Sequence, residues 1–285
     1  MTNVLLTGAG GQLGTDVVRA ATRLNNVELH AFDRRSLDVT TQDGMLIIDE
    51  LGPDVIIHAA AYTAVDAAET DPDAAAQIND RGTLMVSSTA ADIGARVIYV
   101  STDYVFDGTK AEPYVETDEP NPTSVYGETK LAGERHVAEL GGDGLVVRTS
   151  WVCGAHGSNM VKTILRAAGN NPTLTFVDDQ IGKPTFTADL ADTLLTLATR
   201  ADSGIMHVTN EGAVSWYEFC QDVLELAGLG RERVQPCSTA ELQPPRPAPR
   251  PANSVLANTR FAALGLPLLR QYREPLTEVL ADLTR

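Results

Sequence analysis

The strongest constraint on this chain lies at its very start, where Asn3-Val-Leu-Leu runs straight into T-G-A-G-G-Q-L-G, Thr7 to Gly14. An apolar run, closely spaced glycines and an amphipathic stretch (Val17 to Leu24) predict a strand, a tight turn and a helix opening at Gly11. Gly8, Gly11 and Gly14 are spaced G-x-x-G-x-x-G, with Gly10 as an additional glycine. A turn built this way lets backbone approach a phosphate, whose charge meets the free N–H groups of the helix start. A plain glycine-rich strand-to-helix turn is the alternative, and the placement between a strand and a helix favours the cradle.

The same alternation continues. Strands are predicted at Val27–Phe32, Asp54–Ala60, Arg96–Thr102 and Gly144–Ser150, and helices at Asp43–Leu51, residues 72–94 and Ser124–Leu140. Near-continuous apolar strands separated by helices imply a parallel sheet covered on both faces. After Ser150 the rhythm loosens into a helix (Met160–Gly169), a strand (Thr173–Val177) and helices at Ala188–Thr199, Trp216–Gly228 and Glu274–Thr284. QPPRPAPRP, Gln243 to Pro251, cannot be helical and reads as extended chain, either a surface connection or a ligand for an SH3-like module. The expected class is α/β, a doubly wound parallel sheet of the Rossmann type with a smaller α+β substrate-binding domain. The dinucleotide-binding domain is placed at 1–150 and 187–212, the substrate-binding domain at 151–186 and 213–285.

Composition narrows the partners. The formal charge of −16 argues against general affinity for nucleic acid, yet it leaves room for an anionic ligand held by local donors. No apolar run is long enough to span a membrane, so no membrane partner is expected. MTNVLLTGAGG carries no cationic leader, which predicts a cytoplasmic location. Cys153, Cys220 and Cys237 are odd in number and far apart, which predicts neither a disulfide framework nor a zinc site.

Several residues stand where ligand chemistry would need them. Asp33 ends the second predicted strand, where a carboxylate meets adenosine ribose hydroxyls and favours NAD, but Arg34 and Arg35 follow and suit a 2′-phosphate. Asp38 and Val39 are candidates for the adenine ring, with a helix-cap or turn role for Asp38 equally open. Tyr126 and Lys130 are four residues apart on one helix and share a face. A lysine cation beside a phenol favours its ionised form and draws it toward acid/base work. Thr102, at the end of the fourth strand, can donate to a substrate carbonyl, or simply cap the strand end.

These elements, with His58 to Ala61 and Asn79 to Thr83, resemble the extended short-chain dehydrogenase/reductase family. Longer strings resemble its dTDP-4-dehydrorhamnose reductase branch: AAAYTAVDAAE (Ala59 to Glu69), STDYVFDG (Ser101 to Gly108), YGETKLAGE (Tyr126 to Glu134), RTSWV (Arg148 to Val152), DDQIGKPT (Asp178 to Thr185) and RPANSVL (Arg250 to Leu256). The resemblance implies reduction by NADPH or NADH of the C4 ketone of a nucleotide sugar. It gives Tyr126 the proton, Lys130 the nicotinamide ribose and Thr102 the ketone. Cofactor contacts would come from Gly8, Gly11, Gln12, Leu13, Asp33, Arg34, Asp38, Val39, Ala59, Ala60, Ala61, Tyr62 and Thr63, together with Tyr126 and Lys130. Substrate contacts would come from Val65, Thr102, Asp103, Tyr104, Trp151 and Arg250, the last toward the diphosphate. Trp151 is alternatively a core residue at the domain junction, and Arg250 a surface residue of the proline-rich loop.

The family pattern also implies a homodimer, and Mg²⁺ for some members, although no ligand cluster for a metal is visible in the sequence. Three positions depart from it. Cys153 and Met160 stand where aromatic residues are common, and His58 where asparagine is frequent. Two other readings fit the same motifs: a reductase, epimerase or dehydratase of another nucleotide sugar, and a non-catalytic regulatory subunit resembling the partner of methionine adenosyltransferase.

Overall fold

The first strand packs into two cores at once. Val4 and Leu6 join one buried cluster and Leu5 another, so the run has no polar face and belongs inside a sheet covered on both sides. The structure, a computed structural model, describes residues 1–283. Strand β1 (Thr2–Thr7) leads into helix α1 (Gln12–Ala21), then β2 (Val27–Phe32), α2 (Gln42–Leu51) and β3 (Val55–His58). Two short helices, α3 (Val65–Thr70) and α4 (Pro72–Ala76), are followed by a π-helical turn (Gln77–Gly82) and α5 (Thr83–Ile93). Strand β4 (Arg96–Thr102), helix α6 (Val125–Ala138) and β5 (Gly144–Thr149) complete the regular half.

The remainder is more broken. It comprises β6 (Val152–Cys153), α7 (Met160–Asn170), β7 (Leu174–Val177), β8 (Ile181–Gly182) and β9 (Thr185–Phe186), then α8 (Thr187–Ala198) and β10 (Gly204–His207). Next come β11 (Val214–Ser215), α9 (Trp216–Leu226), β12 (Val234–Cys237), α10 (Thr259–Ala263) and α11 (Arg273–Leu283). The last residue of the helix expected at Glu274–Thr284 lies outside the described residues.

Six strands form one sheet in the order β10-β5-β4-β3-β1-β2, every neighbouring pair parallel. The order reverses between β1 and β3, and a ligand crevice opens where loops diverge at such a reversal. Helices α1 and α8 cover one face through Leu13, Val17, Leu190 and Leu194 against Leu6, Ile57 and Val147. On the other face Met45, Ile48, Val86 and Val137 meet Leu5, Ile56 and Val146. Each such fully buried aliphatic side chain contributes about 1.5–3 kcal/mol. A separate core joins Cys153, Val161, Ile164, Phe186, Phe219, Val223, Val234 and Leu276 beyond the sheet. Among the described residues the strands of that second core form two-stranded ladders, β11 with β8, β12 with β7 and β6 with β9.

The structure adds to the sequence reading in several places. The helix expected over 72–94 contains the π-helical turn, where Asn79 points its amide back at Tyr62, accepting from its N–H at 2.8 Å and donating to its carbonyl at 3.1 Å. Helix α3 and edge strand β10 carried too few residues to show a period. The proline-rich segment is a strap tied to α3, since Asp66 accepts from the Ala248 N–H and from the Arg250 guanidinium. Among the described residues no helix is long and apolar enough to cross a membrane. All three cysteines are free.

Candidate active site

The glycine turn has the shape a phosphate cradle needs. Gly8 has φ +76°, and a Cβ there would lie 2.7 Å from the Ala60 N–H nitrogen, so only glycine fits. Gly11 caps α1 with no side-chain hydrogen bond of its own, leaving the helix's first N–H groups facing the crevice. Two cavities meet over this turn, both touching Gly8, Gly11, Ala59 and Ala61. One, of about 370 Å³, is lined by Asp33, Arg34, Arg35, Asp38, Val39 and Ala60. The other, of about 430 Å³, holds Gln12, Leu13, Thr63, Val65, Thr102, Asp103, Tyr104, Tyr126, Lys130 and Trp151 among its walls. Residues far apart in sequence thus line two adjoining cavities that meet over the glycine turn.

Within the first cavity the acidic residues are turned inward. Asp33 Oδ1 accepts from the N–H groups of Arg35 and Ser36 and from the Ser36 hydroxyl, which holds its carboxyl below the usual range. Arg34 is largely exposed at the cavity rim, with Nε 3.6 Å from Asp38. Asp38 is a turn residue that also lines the cavity, bonded through Oδ1 to the Thr40 N–H and hydroxyl. Thr41, not Asp38, caps α2. Tyr62 lines none of these cavities and is fixed through its backbone by Asn79.

The threonine, tyrosine and lysine singled out from the sequence sit at the end of β4 and in the first turns of α6. Thr102 both caps the turn that follows, accepting from the Tyr104 N–H at 3.2 Å, and lines the cleft. Its hydroxyl donates to Asp103 Oδ1 at 3.0 Å, while Asp103 Oδ2 is buried with no partner among the described residues. Burial raises the Asp103 carboxyl to about 6. Tyr126 and Lys130 share the cleft, with the ammonium bonded away from the phenol. Lys130 donates to the Val100 carbonyl at 2.7 Å and lies 3.9 Å from the centre of the Tyr99 ring. Burial pushes the Tyr126 phenol well up and the Lys130 ammonium down to about 7, the latter against the opposing charge of Glu134. Desolvation wins here because both groups are buried by the surrounding protein. Tyr126 therefore holds its proton at neutral pH, which is the form a proton donor requires.

A buried scaffold behind these groups escaped the sequence reading. Glu134 follows Lys130 by one helical turn, and its carboxylate accepts from the Ser101 hydroxyl at 2.5 Å and from two nitrogens of Arg148 at 2.9 and 2.6 Å. The i+4 spacing from Lys130 was its only visible signal. His58 is fully buried between the Thr7 and Thr83 hydroxyls, at 2.8 and 3.2 Å, and burial with the Lys130 charge lowers it to about 3. It is a neutral brace across the β1–β3 opening. Cys153 is buried in the second core, where burial drives its thiol to about 12, so it is an apolar filler.

A third cavity, of about 270 Å³, adjoins the second through Tyr104 and Trp216 and is lined by Phe176, Gln180, Arg246 and Arg250. Arg250 reaches it while paired to both oxygens of Asp66 at 2.6 and 2.9 Å. Trp151 borders the central cavity and stacks on Trp216, so it is a wall and a junction residue together. Gln180, Trp216 and Arg246 were not singled out from the sequence, because nothing local marks them. Among the described residues no group of three or more His, Cys, Asp or Glu is placed to hold a metal.

A glycine cradle on a doubly wound sheet, with threonine, tyrosine and lysine converging beside it, defines an extended short-chain dehydrogenase/reductase, a nicotinamide-dependent oxidoreductase. Comparison with known proteins makes the assignment narrower. The model of a family described as the RmlD substrate binding domain matches residues 1–285. A dTDP-4-dehydrorhamnose reductase of Aggregatibacter actinomycetemcomitans is 41% identical over 277 residues, covering 92% of each chain. The crystal structure of such a reductase from Clostridium acetobutylicum superposes with a TM-score of 0.94 at 39% identity, covering 99% of this chain and 100% of that one. One from Bacillus anthracis, in complex with NADP, gives 0.92 at 36% identity and covers 99% of each. The chain belongs to this family, the dTDP-4-dehydrorhamnose reductases.

Proposed function

We propose that the protein reduces the C4 ketone of dTDP-4-dehydro-L-rhamnose to give dTDP-L-rhamnose, with NADPH preferred over NADH. The observation that carries this reading is the convergence of Thr102, Tyr126 and Lys130 on the cleft that the glycine cradle opens, in a chain of this family. The cofactor, when bound, supplies the hydride. Gly8 and Gly11 are the positions for its diphosphate and Lys130 for its nicotinamide ribose. The Thr102 hydroxyl turns from Asp103 to the ketone oxygen, stabilising the negative charge that grows there. Tyr126 then gives its proton to that oxygen, completing a secondary alcohol. The substrate lies between a cofactor domain (1–150 and 187–212) and a substrate domain (151–186 and 213–285), with Arg250 toward its diphosphate.

The preference for NADPH rests on how the first cavity is arranged. Asp33 spends an oxygen on its own turn, and Arg34 stands exposed at the rim, held by a 3.6 Å contact with Asp38 that a 2′-phosphate would compete for. The related reductase of Bacillus anthracis was crystallised with NADP. The test is oxidation of NADPH and NADH by the purified protein with dTDP-4-dehydro-L-rhamnose. Substrate-dependent oxidation faster with NADPH is the expected result. Cofactor binding without turnover would overturn the reductase reading, and a faster rate with NADH would overturn the preference alone.

A further inference from the structure

Trp151 is the one non-glycine residue with a positive φ, +46°, among the described residues. A bulky side chain in that region persists only when its surroundings over-determine it. Two neighbours do so. The Trp216 ring lies flat against the Trp151 ring, with centroids 3.5 Å apart and planes within 5°. Gly182 packs on the indole edge so tightly that any Cβ there would collide with it. Both neighbours come from one small ladder, in which Gly182 pairs with Val214 and Ile181 with Ser215, the residue before Trp216. Ser215 anchors the end of that ladder, accepting from the Glu218 N–H and donating to Asp178 Oδ1 at 3.0 Å. Trp216 lines both the second cavity and the third, and the second also reaches the glycine cradle at Gly8, Gly11 and Gly14.

We propose that Trp216 is a specificity-determining residue of this site: by holding Trp151 in its strained conformation against Gly182, it fixes the wall along which a sugar ring must lie to present its ketone to Tyr126. The inference rests on the reductase reading above and deepens it. Without the second ring Trp151 is free to leave the left-handed region, and the wall loses its shape. Gly8 and Gly11 keep their places in the turn after the first strand, and the nearest link to that turn is the Gln12 bond to the Val152 carbonyl. Discrimination among sugars that differ only in ring stereochemistry then falls, because a rigid flat wall is what separates them.

The chain has two tryptophans, and both are in this stack, so its tryptophan fluorescence reports on the wall alone. The experiment compares wild type, Trp216→Phe, Trp216→Ala and Gly182→Ala. Substrates are dTDP-4-dehydro-L-rhamnose and the same 4-keto-6-deoxy sugar nucleotide epimeric at C3 and C5. In Trp216→Ala the ratio of kcat/KM values between the two sugars is expected to drop about tenfold or more, with KM for NADPH held within about twofold. Trp216→Phe keeps most of the ratio. Gly182→Ala, which displaces Trp151 and leaves Trp216 in place, lowers it in the same direction. An unchanged ratio in Gly182→Ala, together with an unchanged ratio or a failure to fold in Trp216→Ala, overturns the proposal. If wild type oxidises NADPH with neither sugar, the reductase reading falls by itself. Fluorescence then decides the wall: a change on adding dTDP-L-rhamnose supports it, and no change overturns it.

Discussion

The two ends of the cleft are made in opposite ways. At the cofactor end the walls come from short strings, Gly8 to Leu13, Asp33 to Val39 and Ala59 to Thr63, each the loop that follows one strand of the parallel sheet. At the substrate end Tyr104, Trp151, Gln180, Trp216 and Arg250 come from five separate segments, braced by two-stranded ladders and a proline-rich strap. A loop bound to one strand end inherits its position from the sheet. A wall assembled from distant segments depends on each contact that joins them, so single substitutions should reach further there.

That contrast can be broken at either end. The largest effect is expected at Tyr126, the hinge between the two. Tyr126→Phe should lower kcat by about 10²–10⁴ with the affinity for NADPH unchanged, because only the donated proton is lost. Single-turnover NADPH oxidation measures it, and a wild-type rate would remove Tyr126 from the chemistry. Next comes Gly8→Ala, which forces a Cβ toward the Ala60 nitrogen at positive φ. Its NADPH Kd should rise about tenfold or more, as a local strain of about 1–3 kcal/mol implies. Sugar-nucleotide quenching of the tryptophan pair should persist. Equal loss of both ligands would mean the ends are not independent.

Arg250→Met probes the strap. It removes both the ion pair with Asp66 and the proposed diphosphate contact, so KM for the sugar nucleotide should rise about tenfold while KM for NADPH stays put. A rise in both would show that the strap supports the whole cleft. The smallest effect is one of pH. Burial lowers the Lys130 ammonium from 10.5 to about 7, so the cation is complete well below neutrality and is lost as pH rises through about 7. Tyr99, Tyr126 and His58 beside it do not mimic this, His58 being neutral above about 3 and both phenols raised, while Asp103, raised to about 6 in the same cleft, is the group to be told apart from it. NADPH affinity measured from pH 5.5 to 8.5, a span of about three units around that value, should weaken toward the alkaline end. Lys130→Arg, which stays charged, should give a flat profile, and a sloping one would assign the titration elsewhere.

Much of the cofactor end was legible because its information is local. Gly8, Gly11 and Tyr126-x-x-x-Lys130 specify a turn and a helix face by spacing alone, and the strands around them are apolar runs that only a covered sheet accommodates. The failures have the same origin. The spacing of Tyr126 and Lys130 did not reveal that the ammonium turns to the Val100 carbonyl and the Tyr99 ring, since those partners lie on another strand. Trp216 carried no signal, because its meaning comes from Trp151, far away in the chain.

By itself the sequence determined the alternating α/β order, the cradle after the first strand, the shared face of the tyrosine and lysine, and the family. Tertiary structure alone decided that burial leaves Tyr126 protonated, that Glu134 and Arg148 brace the site, and that Asp66 ties down the arginine strap. It also decided that two tryptophans, one in a strained conformation, stack as one wall of the second cavity. The physical reason is range. Backbone turns and helix faces are set by residues a few positions apart, whereas desolvation and packing depend on which distant groups the fold brings within contact.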